Sequence, residues 1–173
     1  MAELVDALDS KSSSGNRVWV RFPLWVQKNN MYNKKKQLRY DIAYMKMALE
    51  WANLSYCTRK KVGSLIVKDN MIISDGYNGT PSGFENKCEL ANTETKWYVL
   101  HAEANAILKC AKHGQSCQGA KLYLTLSPCK ECSKLIHQAG ITTVIYHKKY
   151  KDISGLNFLK KAGVETIHLK RLI

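Results

Sequence analysis

The sequence predicts an α/β protein in which helices cover both faces of one mixed sheet. Apolar residues at three-and-four spacing alternate along the chain with short runs rich in branched residues. The first two such runs are separated only by the polar residues 68–70, a connection that favours a hairpin. A hairpin followed by alternating helices and strands is typical of a mixed sheet.

Each element has its own pattern. The first helix runs from Leu38 to near Asn53, with apolar residues at Ile42, Met45, Ala48, Leu49 and Ala52. Strands are predicted over 62–67, 71–79, 121–126, 142–147 and 164–169. Helices are predicted over 101–113, 129–139 and 153–162.

Length and charge limit the class of protein. The chain has 173 residues, of which 45% are hydrophobic and 24% charged, an ordinary composition for one globular domain. The 27 Lys and Arg residues exceed the 14 Asp and Glu residues, which gives a formal charge of +13. This excess favours a phosphate-bearing partner, either nucleic acid or a free nucleotide. Each short basic run is also typical of a solvated surface, so charge alone does not choose the partner.

Residues 1–30 are predicted to lie outside the folded domain, which would cover 31–173. They have a Ser-rich centre and no sustained helical or strand period. Residues 20–23, Val-Arg-Phe-Pro, match the translation of a transfer-RNA T-arm. One hypothesis is therefore an upstream tRNA gene read as protein, with Met31 as the natural start. The alternative is a disordered tail, and neither version contributes chemistry.

The six cysteines are predicted to be metal ligands or core residues rather than disulfides. The N-terminus lacks the basic start, apolar run and small-residue cleavage site of a signal peptide. We therefore expect a reducing, cytoplasmic location. No apolar stretch approaches the roughly 18 residues of a membrane span, so a soluble protein is expected.

A histidine and a carboxylate open the second predicted helix. His101 and Glu103 are two positions apart, which in mid-helix would separate their directions by about 200°. In a first turn at the rim of the sheet, both side chains can lean over the helix end. Cys129 and Cys132 open the next helix at a spacing that lets them bind one metal ion. Both helices follow an extended segment, so we expect their N-terminal ends to share one site.

This set of side chains predicts a catalytic centre with one zinc ion. The imidazole of His101 and the thiolates of Cys129 and Cys132 leave the fourth tetrahedral position open for water, as in catalytic zinc sites. The unpaired amides of a helix N-terminus favour thiolates. Glu103 would stand beside the ligands as the proton carrier.

Three motifs add a family resemblance, namely GYNGTPSGF (76–84), HAEANAI (101–107) and TLSPCKEC (125–132). H-x-E followed by P-C-x-x-C is the signature of zinc-dependent nucleobase deaminases. Together the motifs make residues 38–170 resemble the deoxycytidylate (dCMP) deaminase family. The resemblance implies the cytidine-deaminase-like fold, a three-layer α/β/α sandwich with about five strands in its mixed sheet. It also implies that His101, Cys129 and Cys132 bind zinc and that Glu103 transfers protons.

The implied reaction is the hydrolytic deamination of dCMP to dUMP and ammonia, which supplies dUMP for thymidylate synthesis. Glu103 would protonate the ring nitrogen beside the amine-bearing carbon and then the departing amine. A nucleotide is expected rather than a nucleoside, because the basic chain offers lysines at 148–149 for a monophosphate.

The resemblance also implies which residues bind the substrate. Asn78 matches an Asn that contacts the sugar, although an Asn in a turn also tolerates left-handed geometry. Tyr150 matches a tyrosine near the substrate phosphate, although a surface aromatic beside lysines would look the same. The expected substrate-binding set is Asn78, Ala102 and Tyr150.

Regulation and assembly are expected from the resemblance alone. Family members are often activated by dCTP and inhibited by dTTP, with magnesium, and here the site would comprise Arg59, Lys60, Lys61, Tyr77 and Gly79. A homo-oligomer, dimer or hexamer, is expected. A second, structural zinc is not expected, because Cys57 and Cys88 lie at suitable places but no His occurs between Cys88 and His101.

Two other functions stay open on these residues. A tRNA adenosine deaminase shares the H-A-E and P-C-x-x-C core, and the basic charge would suit RNA. The SPCKEC and EANAI motifs and the long loop over 78–97 favour the nucleotide branch, so we expect neither nucleic acid nor a membrane as partner. A zinc-stabilised binding module would lack a fourth protein ligand and would leave Glu103 without a role.

Overall fold

The computed structural model describes residues 24–172, with side chains from residue 31 onward. The sheet and all helices after the first belong to one compact unit, Lys35–Ile173. The elements in chain order are α1 Leu24–Asn53, β1 Gly63–Lys68, β2 Met71–Tyr77, α2 Ala102–Lys112, β3 Lys121–Leu126, α3 Lys130–Gln138, β4 Thr143–Lys148, α4 Ser154–Lys161 and β5 Glu165–His168.

The first helix is longer than predicted. It ends at Asn53 as expected but begins at Leu24 rather than Leu38. The added turns include Lys34, Lys35, Lys36 and Gln37, straight-chain residues that favour helix without needing a buried face. The disordered or tRNA-derived segment was predicted over 1–30, and residues 1–23 of it lie outside the described part of the chain. The division into segment 1–30 and domain 31–173 therefore stays a prediction.

The five strands form one mixed sheet in the order β2-β1-β3-β4-β5. β1 is antiparallel to both β2 and β3, whereas β3, β4 and β5 are parallel. Asp69 and Asn70 make the hairpin turn with φ of 51° and 60°, the left-handed backbone that a tight hairpin requires. The predicted mixed sheet of about five strands is confirmed.

Alternate side chains of the strands point to opposite faces, and each face carries its own core. Helices α2, α3 and α4 cover one face, where the buried strand residues include Ile66, Leu122, Leu124 and Val144. Helix α1 covers the other face, where they include Leu65, Val67, Tyr123 and Ile145. The result is the predicted three-layer α/β/α arrangement.

One edge of the sheet gathers the segments that carry the predicted site. β1 begins beside the last residues of β2 and β3, since Gly63 pairs with Tyr77 and Ser64 with Leu124.

Helices α2, α3 and α4 each lie one residue inside their predicted ranges at both ends, because the flanking residues act as caps. Among the described helices, none has the length and apolar composition needed to cross a membrane.

Candidate active site

Helix α2 packs directly on β1 and β2 because Gly76 lacks a side chain. A Cβ there would meet the backbone of Ala102 and lie 2.8 Å from the nitrogen of Ala106. The Ser64 hydroxyl donates to the Ala102 carbonyl at 2.8 Å, and the Ser74 hydroxyl donates to the Ala106 carbonyl at 2.7 Å. The first turn of α2 is thereby held at the edge of the sheet.

The start of α2 explains how His101 and Glu103, two positions apart, reach the same place. His101 is the N-cap of α2, with an extended backbone at φ −73° and ψ 154°. Glu103 already lies inside the helix and is 4% exposed. The change from extended to helical backbone breaks the helical phase between them, so both side chains line one cavity.

The two cysteines are positioned by the start of α3. Cys129 is the N-cap, and its Sγ accepts a hydrogen bond from the backbone nitrogen of Cys132 at 3.5 Å. The Ser133 hydroxyl donates to the Cys129 carbonyl at 2.9 Å. A Cβ at Gly155 would lie 2.8 Å from the carbonyl carbon of Cys129, so this glycine lets α4 press against the same turn.

The three predicted ligands converge. The Nδ1 of His101 lies 3.6 Å from the Sγ of Cys129 and 3.3 Å from the Sγ of Cys132, and all three ligand atoms lie within 4.8 Å of one another. Tetrahedral zinc with ordinary Zn–N and Zn–S bonds separates such atoms by about 3.6 Å. Their separations and their chemistry, one nitrogen and two sulfurs, therefore fit zinc with a fourth position free.

Hydrogen bonds and burial shift the pKa values of the three ligands and of Glu103. Hydrogen bonds from the Cys132 thiol, His101 and the Cys132 amide lower the pKa of Cys129 to about 3, against the effect of its burial. The hydrogen bond with Cys129 raises the pKa of His101. Cys132 has a raised pKa because its thiol donates to Cys129. Burial raises the pKa of Glu103, which favours the protonated carboxyl.

His101, Glu103 and Cys129 line a cavity of 390 Å³, whereas Cys132 is buried behind its wall and is not a lining residue. Several predicted residues line it: His101, Ala102, Glu103, Cys129, Asn78, Tyr150, Arg59 and Lys60. Lys61 lies outside it, and its Nζ donates to the Asn53 carbonyl at 3.3 Å. Tyr77 and Gly79 line a second cavity, of 520 Å³. The predicted effector set is thus divided between the two cavities, and Lys61 lines neither.

The Asn78 side chain binds the neighbouring backbone. Its Oδ1 accepts from the nitrogen of Val62 at 2.8 Å, and its Nδ2 donates to the Lys60 carbonyl at 2.8 Å. The oxygen and the nitrogen of this side-chain amide therefore both bind the segment that leads into β1, while the residue also lines the cavity. Contact with a sugar stays a proposal.

Sequence reasoning missed several lining residues, among them Glu89, Thr95, Val99, Ser127 and Lys151. Lys151 lines the cavity, whereas the exposed lysines at 148 and 149 do not. Ser127 was within a quoted motif, and its hydroxyl accepts from the nitrogen of Tyr150 at 2.8 Å. Lys151 could have been predicted from its position next to Tyr150. Nothing in the local sequence indicates that Glu89 is buried in the cavity wall.

The expectation that the cysteines form no disulfide is wrong for one pair. Cys57 and Cys88 are bonded to each other, because the loop after β2 folds back beside the segment that precedes β1. Cys110 and Cys117 are buried and free, which fits their expected place in the core. The cytoplasmic location, argued partly from cysteine usage, stays a prediction.

Comparisons with known proteins agree with this site. Residues 38–148 match the family model described as "Cytidine and deoxycytidylate deaminase zinc-binding region". The chain is 33% identical to deoxycytidylate deaminase of Enterobacteria phage T4, over 68% of this chain and 83% of that protein. It is 43% identical to ComE operon protein 2 of Bacillus subtilis, over 69% of this chain and 66% of that protein.

A solved structure extends the likeness to the fold. The dCMP deaminase of cyanophage S-TIM5, crystallised with dCMP and dUMP, matches with a TM-score of 0.72 and 39% identity, over 86% of this chain and 100% of that chain. The motifs, the His-Cys-Cys cluster and the five-strand sheet point the same way. The chain belongs to the cytidine and deoxycytidylate deaminase zinc-binding family, within its dCMP deaminase group.

Proposed function

We propose that this protein catalyses the hydrolytic deamination of dCMP to dUMP and ammonia. The observation that carries the proposal is the convergence of His101, Cys129 and Cys132 near buried Glu103, with His101, Glu103 and Cys129 lining one cavity. A volume of 390 Å³ lies in the range of small-molecule sites.

Zinc held by the three ligands would supply a Lewis acid that activates water near neutral pH. Glu103 performs the proton transfers that deamination needs. Its carboxylate takes one proton from the attacking water and gives it to the ring nitrogen beside the amine-bearing carbon as the water oxygen bonds to that carbon. The second proton of the water then passes through Glu103 to the amine, the carbon–nitrogen bond breaks, and ammonia leaves as the carbonyl forms. Burial of Glu103 supports this role, because it holds the carboxyl out of bulk water next to the metal ligands.

A nucleotide substrate is supported by the basic groups of the cavity. Arg59, Lys60 and Lys151 line it together with the phenol of Tyr150. Cationic groups and hydroxyls bind a phosphate dianion through charge-assisted hydrogen bonds. Deoxycytidine, which lacks the phosphate, is expected to be a poor substrate.

The second cavity is the better candidate for effector binding. It is lined by Tyr77 and Gly79 and also by Lys109, whose ammonium pairs with Asp75 at 2.6 Å. The Asn105 amide donates to the Tyr77 carbonyl at 3.0 Å, which links this wall to the helix of the metal ligands. We propose that dCTP or dTTP with magnesium binds here, and that the protein is a dimer or hexamer. The effector proposal would be contradicted by a hyperbolic dCMP saturation curve that neither triphosphate changes.

Ammonia release distinguishes the candidate functions. Purified zinc-loaded protein is incubated with dCMP, deoxycytidine or a tRNA anticodon stem. Release from dCMP alone is the expected result. Release from the tRNA stem would favour the adenosine deaminase alternative, for which the likeness to tRNA deaminases, at 23% identity and a TM-score of 0.52, indicates the fold alone. No release from any of them would leave a binding module.

A further inference from the structure

The segment between α1 and β1 forms one wall of the active-site cavity. We call residues 57–61 the basic segment; it contributes Arg59 and Lys60 to the cavity lining. It belongs to no helix or strand, so its backbone N–H groups find no partners in regular structure. Its conformation therefore depends on contacts made by other parts of the chain.

Glu89 supplies the principal contact. Its Oε1 accepts hydrogen bonds from the backbone nitrogens of Thr58 at 3.0 Å and Arg59 at 3.2 Å. The residue is only 8% exposed and lines the same cavity. Neither of the two salt bridges found within residues 31–172 includes it, so the two amides are the groups that compensate its charge. Such charge-assisted bonds are stronger than bonds between neutral groups.

Two neighbouring links strengthen this attachment. Cys88, next to Glu89, is bonded to Cys57 at the start of the basic segment. Glu89 also forms an antiparallel bridge with Thr95, whose hydroxyl accepts from the Arg59 guanidinium at 3.2 Å. The same short piece of chain thus holds the backbone of the basic segment and one of its cationic side chains.

We propose that Glu89 is a positioning residue for the substrate phosphate. It holds the basic segment so that Arg59 and Lys60 face the phosphate of dCMP, and it does not itself touch the reacting atoms. Long cationic side chains lose less freedom on binding when their backbone is already fixed. This inference rests on the proposed function, because it assumes a phosphate-bearing substrate in this cavity.

The test separates phosphate binding from chemistry. Glu89→Ala is expected to raise the KM for dCMP by about tenfold, the loss of one well-placed charge-assisted contact, with kcat changed less than about twofold. kcat/KM for deoxycytidine should stay the same, because the nucleoside has no phosphate. Glu89→Gln should restore part of the KM, since the amide oxygen of Gln can accept both N–H bonds but without the charge that strengthens them.

Glu85→Ala is the matched control, because it removes an exposed carboxylate from the same loop and should leave all parameters unchanged. If Glu89→Ala does not fold, Glu89→Asp, which withdraws the carboxylate by one methylene, is measured with the same expectation. In an Arg59→Ala, Lys60→Ala background, removal of Glu89 should have no further effect on the KM for dCMP.

Two results would overturn the inference. An equal loss with dCMP and deoxycytidine would show a general structural role, and an unchanged KM for dCMP in folded Glu89→Ala would show that the basic segment keeps its position without Glu89. Wild-type protein that releases no ammonia from dCMP would overturn the proposed function, and with it this inference. Active wild type with either of the first two results overturns the positioning role alone.

Discussion

The ammonium group of Lys60 lies 4.7 Å from the ring centroid of Tyr150, a distance at which cation–π attraction operates. Lys60 precedes β1 and Tyr150 follows β4, yet both line the active-site cavity. The two candidate phosphate-binding groups, separate in sequence, therefore form one pair across the mouth of the cavity.

This pairing predicts how two variants behave. Lys60→Ala should lower kcat/KM for dCMP by at least about tenfold, because one charge-assisted contact contributes roughly 1.5 to 3 kcal/mol. Tyr150→Phe keeps the ring under Lys60 but removes the hydroxyl, and should lose about tenfold if that hydroxyl binds the phosphate. The kcat/KM for deoxycytidine should stay the same in both variants, because the nucleoside has no phosphate. Lys148→Ala is the control, since Lys148 is exposed and does not line the cavity.

Glu103→Gln should reduce kcat by at least the roughly hundredfold typical of lost general acid–base catalysis. The amide keeps the shape of the side chain but cannot carry the proton. Metal analysis of the same preparation should still find close to one zinc per chain. Near-normal turnover by this variant would rule out the proton-transfer role.

Cys129→Ala and Cys132→Ala should each lose zinc, because the remaining two ligands cannot hold it tightly. Thermal stability should fall as well, since bound metal stabilises the folded state by mass action. Zinc content and Tm are the measurements. Cys117→Ala serves as control, because Cys117 is a buried free cysteine outside the ligand cluster, and it should keep its metal. Full zinc in Cys129→Ala would contradict the assigned ligand set.

Gly76→Ala should destabilise the protein by about 1 to 3 kcal/mol, the usual cost of overpacking. The new methyl group would collide with the backbone of α2 at Ala102 and Ala106, and zinc affinity should fall because this turn carries a ligand. Urea unfolding measures the change. Gly79→Ala is the control, since a Cβ there meets only atoms at 3.9 Å or more. Equal midpoints for both variants would refute the tight contact.

The buried Tyr123 hydroxyl donates to Asp41 at 2.7 Å, and burial together with this bond raises the pKa of Tyr123 above its usual 10.0. Below pH 10 both folded and unfolded states hold this proton, so its contribution is complete. As the pH rises further, the unfolded state ionises first and the free energy of unfolding falls. Between pH 10 and 11 wild type should lose stability more steeply than Tyr123→Phe. Parallel stability curves would contradict this linkage.

Local patterns in the sequence determined most of the fold. The termini of α2, α3 and α4 followed from capping and apolar spacing, and the β1–β2 hairpin from its polar connection. The metal ligands were also predictable, because the spacing of Cys129 and Cys132 and the place of His101 at a helix start are local features. The extra turns of α1 over 31–37 were missed because they depend on helix propensity, and their side chains are exposed or half-buried.

Tertiary structure decided what surrounds the metal ligands. Lys151 lines the cavity, whereas the lysines at 148 and 149 do not. This choice depends on how the chain turns after β4. The Cys57–Cys88 disulfide and the contact of Glu89 with the basic segment join residues about 30 positions apart. Such contacts arise only when loops from different strands meet at one edge of the sheet, and no periodicity or motif encodes that meeting.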